Sequence, residues 1–179
     1  MRVYDIEEHG FERAIRGLAR SYNQSDMIKM LSVARTLSPL DKGHNKFLES
    51  ITVWMEIEAP RFWWSEFDTY RTGMTKQSDS TMHTLKKTVL TQSNFEYPIP
   101  EIYLDILNRK IANDTPIDEL KNDLPDGFIQ GRSVCTNYKT IRNIIIQRRT
   151  HKLPQWRVFC ECMESELKHY DYLGLRNDQ

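Results

Sequence analysis

The sequence lacks the features of membrane proteins and of disulfide-rich secreted proteins. Its longest purely aliphatic run is Ile144–Ile146, whereas a helix that crosses a bilayer needs about 20 apolar residues. The first ten residues, MRVYDIEEHG, are charged and contain no apolar signal segment. The cysteines Cys135, Cys160 and Cys162 match neither a disulfide framework nor the spacing of zinc ligands. We therefore expect a cytoplasmic protein with reduced thiols and no metal site.

The chain also lacks a net charge and any linker. It has 25 basic and 25 acidic residues, so nothing global favours a nucleic-acid polymer or an acidic membrane as a partner. No repeat, low-complexity segment or Gly/Ser linker divides the 179 residues. Hydrophobic residues make up 39% of the chain and aromatic residues 11%, which is enough for a core. We expect one domain over residues 1–179.

The hydrophobic pattern predicts an α+β domain. Residues 49–59 alternate, with Ile51, Val53, Met55 and Ile57 on one face, as in a strand with one buried face. Helical spacing predicts helices over residues 11–22, 26–37, 101–112, 116–122 and 137–147, and an apolar stripe from Trp156 to Tyr170 predicts a last helix. Ser25 is the expected N-cap of the second helix. Loops are expected over residues 39–46, 93–100 and 122–132.

A stretch rich in tryptophan and hydroxyl groups, WWSEFDTYRTGMTKQSDST, occupies residues 63–81. Pro60 suits the first turn of a helix that runs into it. Its Thr and Ser side chains suit a ligand-facing loop, and Trp63, Trp64 and Tyr70 suit stacking on a base or a flavin. Trp54, Trp63 and Trp64 are expected to be exposed near the sheet edge. The alternative interpretation is an ordinary helix and loop with Ser/Thr capping.

Acidic residues are absent between Asp126 and Glu161, an interval that holds eight basic or histidine residues. They are Arg132, Lys139, Arg142, Arg148, Arg149, His151, Lys152 and Arg157. A solvated helix face normally mixes both signs, so a run of one sign favours an anion site, although a solvated basic face is the alternative. The run is compact, which suits a nucleotide better than a polymer. Asn137 and Asn143 add amides that can pair with a base or an isoalloxazine edge.

Residues 124–156, LPDGFIQGRSVCTNYKTIRNIIIQRRTHKLPQW, resemble the C-terminal half of the flavin-dependent thymidylate synthases, the ThyX family. That family carries Leu-Pro, then N-x-R-S-L-x-N-F-L-x-x-R, then A-Q-W-E-I-R. Asn137 and Asn143 match the two asparagines, and Lys139 replaces the arginine. The nucleotide-binding arginine falls on Arg148 counted from Asn143, or on Arg149 counted back from Gln155. Upstream, Lys121 takes the place of another family arginine.

The N-terminal half resembles the family more loosely. In GHNKFLESITVWMEIEAPRFWW, His44, Phe47 and Glu49 resemble the family's H-x-x-P-F-E-H, and Arg61 and Trp63 would stand at the following helix start. The family signature, R-H-R followed by N-E-x-S-x-R-Y, is expected within residues 63–81. Ser78 stands where the signature serine belongs. No R-H-R can be placed within residues 64–71, where Glu66, Asp68 and Arg71 are the only charges.

The resemblance implies a fold and a set of roles. The fold would have long helices around a small, mainly antiparallel sheet. Ser78 and Arg71 would be catalytic, and a pyrimidine deoxynucleotide would bind Arg148, Arg149, Gln77, Arg61 and Lys121. FAD would bind His44, Glu49, Asn137, Lys139 and Asn143, with a reduced folate as the second cofactor. Sites shared between subunits imply a homotetramer.

Two functions remain open from the sequence. The first is an enzyme that methylates or hydroxymethylates C5 of dUMP or dCMP with a flavin and a folate. The second is a non-catalytic protein of the same fold, such as a viral accessory protein or inhibitor, that sequesters a nucleotide or a protein partner.

Overall fold

A four-stranded antiparallel sheet lies at the centre of the fold. The structure is a computed structural model and describes residues 1–175, so residues 176–179 of the predicted domain 1–179 lie outside the described residues. The strands are β1 (Arg2–His9), β2 (Thr52–Pro60), β3 (Thr75–Ser78) and β4 (Ile129–Asn137). They are ordered β1-β2-β4-β3 across the sheet, and each neighbouring pair is antiparallel.

Eight α-helices surround the sheet in the described residues. They are α1 (Phe11–Ser21), α2 (Met27–Leu37), α3 (Arg61–Phe67), α4 (Thr81–Thr84), α5 (Glu101–Ala112), α6 (Ile117–Asp123), α7 (Tyr138–Arg148) and α8 (Pro154–Glu166). The predicted α+β class, with helices around a small antiparallel sheet, is confirmed. Within residues 1–175, no helix is both long and apolar enough to cross a membrane.

The central strand β2 follows the predicted alternation. Val53, Met55 and Ile57 are buried, and Trp54 between them is 43% exposed. Five of the predicted helices lie within two residues of their expected bounds. The predicted cap is wrong, because Asp26, and not Ser25, accepts the backbone N–H of Lys29 at the start of α2. The last helix ends at Glu166, so Leu167 and Tyr170 extend the apolar stripe beyond it.

Three strands, β1, β3 and β4, and the end of α3 differ from the prediction. β4 begins at Ile129, inside the loop expected over residues 122–132. The sequence gives no strand pattern there, because most side chains of β4 are polar and only Val134 and Thr136 are buried. β1 was not predicted, since a register shift between Tyr4 and Glu7 breaks its alternation. The helix that begins after Pro60 ends at Phe67, and the chain then turns into β3.

An aromatic cluster joins α3 to α8 under the sheet. The ring centroid of Trp63 lies 4.7 Å from that of Phe67 and 4.8 Å from that of Trp156. Trp63 is 0% exposed and Trp64 is 1% exposed, and the indole N–H of Trp64 donates to the carbonyl of Gln130. The expectations that these two tryptophans are exposed and stack on a base or a flavin are therefore wrong. A smaller apolar cluster under α5 and α6 contains Leu85, Leu90, Phe95, Leu104, Leu107, Leu120 and Leu124.

Asp68 ties the end of α3 to the edge of the sheet. Arg132 Nη1 donates to both carboxylate oxygens of Asp68 at 2.8 and 3.0 Å, and Lys76 Nζ lies 2.9 Å from Oδ1. The Arg132 guanidinium also lies over the ring of Trp64, 4.2 Å from its centroid. Burial alone would raise the pKa of Asp68, but hydrogen bonds from Lys76 and Arg132 outweigh burial and hold this pKa below its ordinary value.

Replacing Trp63 with alanine should cost roughly 3–5 kcal/mol of unfolding free energy, as large-to-small changes in cores do. The reason is that the side chain is fully enclosed by aromatic neighbours. Urea denaturation measures the effect. Trp54→Ala is the matched control, because Trp54 is 43% exposed and should cost far less. Equal losses in the two variants would contradict the packing described here.

Asp68→Asn should destabilise the protein most at neutral pH. The folded-state pKa of Asp68 lies below its unfolded value, so the ionised carboxylate stabilises the fold above about pH 4. That contribution is lost as the pH falls through the lowered folded pKa. The difference in melting temperature between wild type and variant should therefore narrow below about pH 4. Asp105→Asn, at an exposed position on α5, should show no such trend, and a constant difference for Asp68→Asn would contradict the assignment.

Candidate functional site

A cleft of about 630 Å³ opens beside the N-terminus of α7, and we call it the α7 cleft. Three segments form it: the β4–α7 junction with the first turns of α7, the loop after α3, and Glu49 from the turn before β2. Its lining residues are Glu49, Thr69, Tyr70, Arg71, Thr72, Gly73, Asn137, Lys139, Thr140, Asn143 and Gln147.

The start of α7 is fixed from two directions. Asn137 is the N-cap, and its Oδ1 accepts the backbone N–H of Thr140 at 3.0 Å, which satisfies one free donor of the first turn. The next residue, Tyr138, is fully buried, and its hydroxyl donates to the buried carboxylate of Glu8. Burial, followed by this contact with Glu8, raises the pKa of Tyr138 well above its ordinary value. The residues that follow on α7 are therefore held in place relative to the sheet.

The loop after α3 is held against this helix start. The Thr140 hydroxyl donates to the carbonyl of Thr72 at 3.0 Å, and the Thr136 hydroxyl donates to that of Gly73 at 3.1 Å. Gly73 has φ 68°, and a Cβ there would lie 2.5 Å from Asn137 Nδ2. Only glycine meets both the positive φ and the close approach. The loop thereby forms a fixed wall that carries Arg71 and Tyr70.

Charges in the cleft are distributed unevenly. Lys139 Nζ pairs with Glu49 at 2.7 Å, so this ammonium is partly neutralised. Arg71 is exposed and forms no ion pair with any residue in the described chain. Asn143 is also exposed, and its side-chain amide has no hydrogen bond to another described residue. A free guanidinium and a free amide therefore face solvent in the same cleft.

Glu66 forms a second group of polar contacts behind the cleft wall. Its Oε2 accepts from Arg148 Nη1 at 2.9 Å and from the indole N–H of Trp156 at 2.8 Å. Nε2 of His151 lies 3.6 Å from the same oxygen. Arg148 Nε donates to the hydroxyl of Tyr70, which donates in turn to Gln147. Arg148 is thus connected to two residues that line the cleft, although it is itself paired with an acid.

The structure brings five of the sequence-predicted site residues together in the α7 cleft and places the other seven elsewhere. The five are Glu49, Arg71, Asn137, Lys139 and Asn143. Gln77 and Ser78 are exposed on the edge strand β3, and His44 and Lys121 are exposed in a turn and on α6. Arg61 donates to the carbonyl of Leu124. Arg148 pairs with Glu66, and Arg149 borders two other cavities on the far side of α7.

Sequence patterns did not single out several residues that shape the site. Gly73 and Thr140 hold the loop that forms the cleft wall, and Glu66 pairs with Arg148. None of these three is predicted from the sequence as a site residue. The available signal for Glu66 was an acidic residue within the aromatic segment Trp63–Phe67, because an acid surrounded by buried rings requires partners. The partners themselves could not be named, because Arg148 is 82 residues away in the chain.

The comparisons with known proteins identify the fold. No protein-family model matches the chain, and no curated protein matches its sequence. Two solved structures of the flavin-dependent thymidylate synthase ThyX from Helicobacter pylori, both with FAD and dUMP, superpose on it with TM-scores of 0.79 and 0.82. Each alignment covers 97% of this chain and 97% of the solved chain, at 17% sequence identity. At that identity the likeness establishes a shared fold, and the chain has the ThyX-like fold.

Proposed function

We propose that the α7 cleft binds a pyrimidine deoxynucleotide of the dUMP or dCMP type. The observation that carries this proposal is that five residues selected from separate parts of the sequence line one cleft. Arg71 offers a free guanidinium for a phosphate, since arginine binds phosphate through paired hydrogen bonds. The exposed amide of Asn143 offers both a donor and an acceptor. The two solved structures with this fold hold dUMP and FAD, which supports the same class of ligand here.

FAD fits the groups that the cleft presents. Asn143 would meet the polar edge of the isoalloxazine ring, and Lys139 would lie near its carbonyl oxygens as a cation. The aromatic ring of Tyr70, which is half-buried in the wall, offers an apolar surface to the ring system. When bound, reduced FAD would supply the hydride that methylation at C5 requires, and a reduced folate would supply the one-carbon unit for methylation or for hydroxymethylation, which needs no hydride.

Two of the remaining predicted residues fit a site shared between subunits. Ser78 and Gln77 lie outside the cleft of their own chain, exposed on the edge strand β3. In a homotetramer these residues would reach the cleft of a neighbouring subunit, where Ser78 would lie near the reacting base. We accordingly propose a cytoplasmic homotetramer in which each cleft is completed by a second copy of the chain.

A second candidate function is a non-catalytic binding protein of ThyX-like fold, diverged from the enzymes. Residues 63–81 contain no R-H-R, and two acidic residues of this stretch pair with basic residues of the same chain. Glu66 holds Arg148, and Asp68 holds Arg132 and Lys76. Such a protein would sequester a nucleotide or a protein partner without turnover.

Arg71→Ala should weaken the binding of dUMP by about 1.5–3 kcal/mol, the value of a charge-assisted hydrogen bond. Its unfolding free energy should change by less than about 0.5 kcal/mol, because the side chain is exposed and has no packing role. Calorimetric titration and urea denaturation measure the two effects. Arg157→Ala, at an exposed position on α8, is the control. If both variants bind dUMP as wild type does, the phosphate lies elsewhere.

Flavin uptake separates the two candidate functions. Protein incubated with FAD and then passed through gel filtration should retain the visible absorbance of the flavin if the cleft is a flavin site. Asn143→Ala should lose most of it, whereas Asn122→Ala, at an exposed position on α6, should not. A wild-type protein that retains no flavin but still binds dUMP would favour the non-catalytic binder.

A further inference from the structure

Arg148 lies behind the wall of the α7 cleft, where it contacts Tyr70, and its guanidinium is already engaged. Its Nη1 donates to Glu66 and its Nε donates to Tyr70. A phosphate binds arginine most strongly through two neighbouring nitrogens. Each of the two guanidinium edges, Nε with Nη2 and Nη1 with Nη2, includes one nitrogen that is already donating. A bidentate contact at either edge would therefore share a nitrogen with Glu66 or with Tyr70.

The surroundings of this guanidinium restrict it further. Its carbon lies 4.7 Å from the ring centroid of Trp156 and 5.7 Å from that of Tyr70, so two aromatic rings lie beside the guanidinium. The side chain of Arg148 is 18% exposed and that of Glu66 is 32% exposed. An anion that approached the accessible part of Arg148 would therefore meet the carboxylate of Glu66. Two like charges at such short range repel each other strongly, because the site is only partly solvated.

We infer that Glu66 is a specificity-determining residue that occupies Arg148 in place of a ligand phosphate. This inference rests on the proposed function, since it concerns the ligand of the same cleft. Glu66 lowers the preference of the cleft for a 5′-monophosphate over the corresponding nucleoside. Arg71 is then the one cation lining the cleft that is unpaired within the described residues, and it is left to meet the phosphate alone.

A purely structural role for Glu66 is the competing explanation, because the same carboxylate oxygen also accepts from Trp156. Loss of a structural contact lowers stability whether or not phosphate is present. If Glu66 instead competes with phosphate for Arg148, its removal makes the protein bind phosphate and become more stable when phosphate is added. The test must therefore measure a phosphate-dependent gain and not only a change in stability.

The experiment compares wild type, Glu66→Gln and Asp68→Asn, with inorganic phosphate, dUMP and deoxyuridine as probes. Glutamine keeps the shape and one acceptor oxygen but removes the charge. Asp68→Asn removes a paired acid two residues away, whose partners Arg132 and Lys76 do not line the cleft. Inorganic phosphate should raise the melting temperature of Glu66→Gln and leave wild type and Asp68→Asn unchanged. The affinity ratio of dUMP to deoxyuridine should rise about tenfold in Glu66→Gln alone.

The added variant Glu66→Gln/Arg148→Met should lose both gains, which assigns them to Arg148. A folded Glu66→Gln variant that gains no response to phosphate would overturn the inference. If that variant does not fold, Glu66→Asp replaces it. Its shorter carboxylate reaches Arg148 less well, so phosphate should raise its melting temperature by a smaller amount. No rise in melting temperature with phosphate would again overturn the inference. A response to inorganic phosphate without binding of dUMP or deoxyuridine in any variant would uphold the role of Glu66 and reject the proposed function.

Discussion

The aromatic contact between α3 and α8 is the interaction on which the site depends. Trp63 of α3 and Trp156 of α8 lie with ring centroids 4.8 Å apart, and both are fully buried. This contact holds α3 against α8, and the loop that carries Tyr70 and Arg71 follows directly after α3. It also brings the indole N–H of Trp156 to Glu66. The side chain of Trp156 thus belongs both to the aromatic core and to the polar contacts of Glu66. The position of the cleft wall therefore follows from the packing of the core.

Two acids near the end of α3 pair with basic residues from different parts of the fold. Glu66 faces α7 and α8 and takes Arg148, whereas Asp68 faces the sheet and takes Arg132 and Lys76. Both ion pairs are partly buried, and removing one partner of such a pair leaves an uncompensated charge. The long acid-free interval of the sequence is therefore balanced from another part of the chain. Apart from Arg71, the cleft and its wall are close to electrically neutral.

Local patterns in the sequence predicted the helices and the strand in which buried and exposed side chains recur at a regular spacing. The alternation of β2 identified its buried face, and helical spacing located α1, α2, α5 and α7. β1 and β4 could not be found in this way, because their pairing with β2 is non-local and a bulge and polar side chains obscure the period. The amide and basic residues of α7 were found from the acid-free interval, and the family resemblance then assigned roles to them. The partners of Arg148 and Arg132 were not found, because ion pairs between distant segments leave no local pattern.

The bulge in β1 has a consequence for how the molecule associates. β1 is an edge strand of the sheet, and Asp5 within it adopts φ 49° where the register with β2 shifts. Together with Arg2, Glu7 and His9, which are exposed on this strand, the irregularity prevents a flat row of free backbone groups. Natural sheets use such edge charges and bulges to block the addition of strands from other chains. Self-association at this border by open-ended strand pairing, the route to fibrous aggregates, is thereby disfavoured.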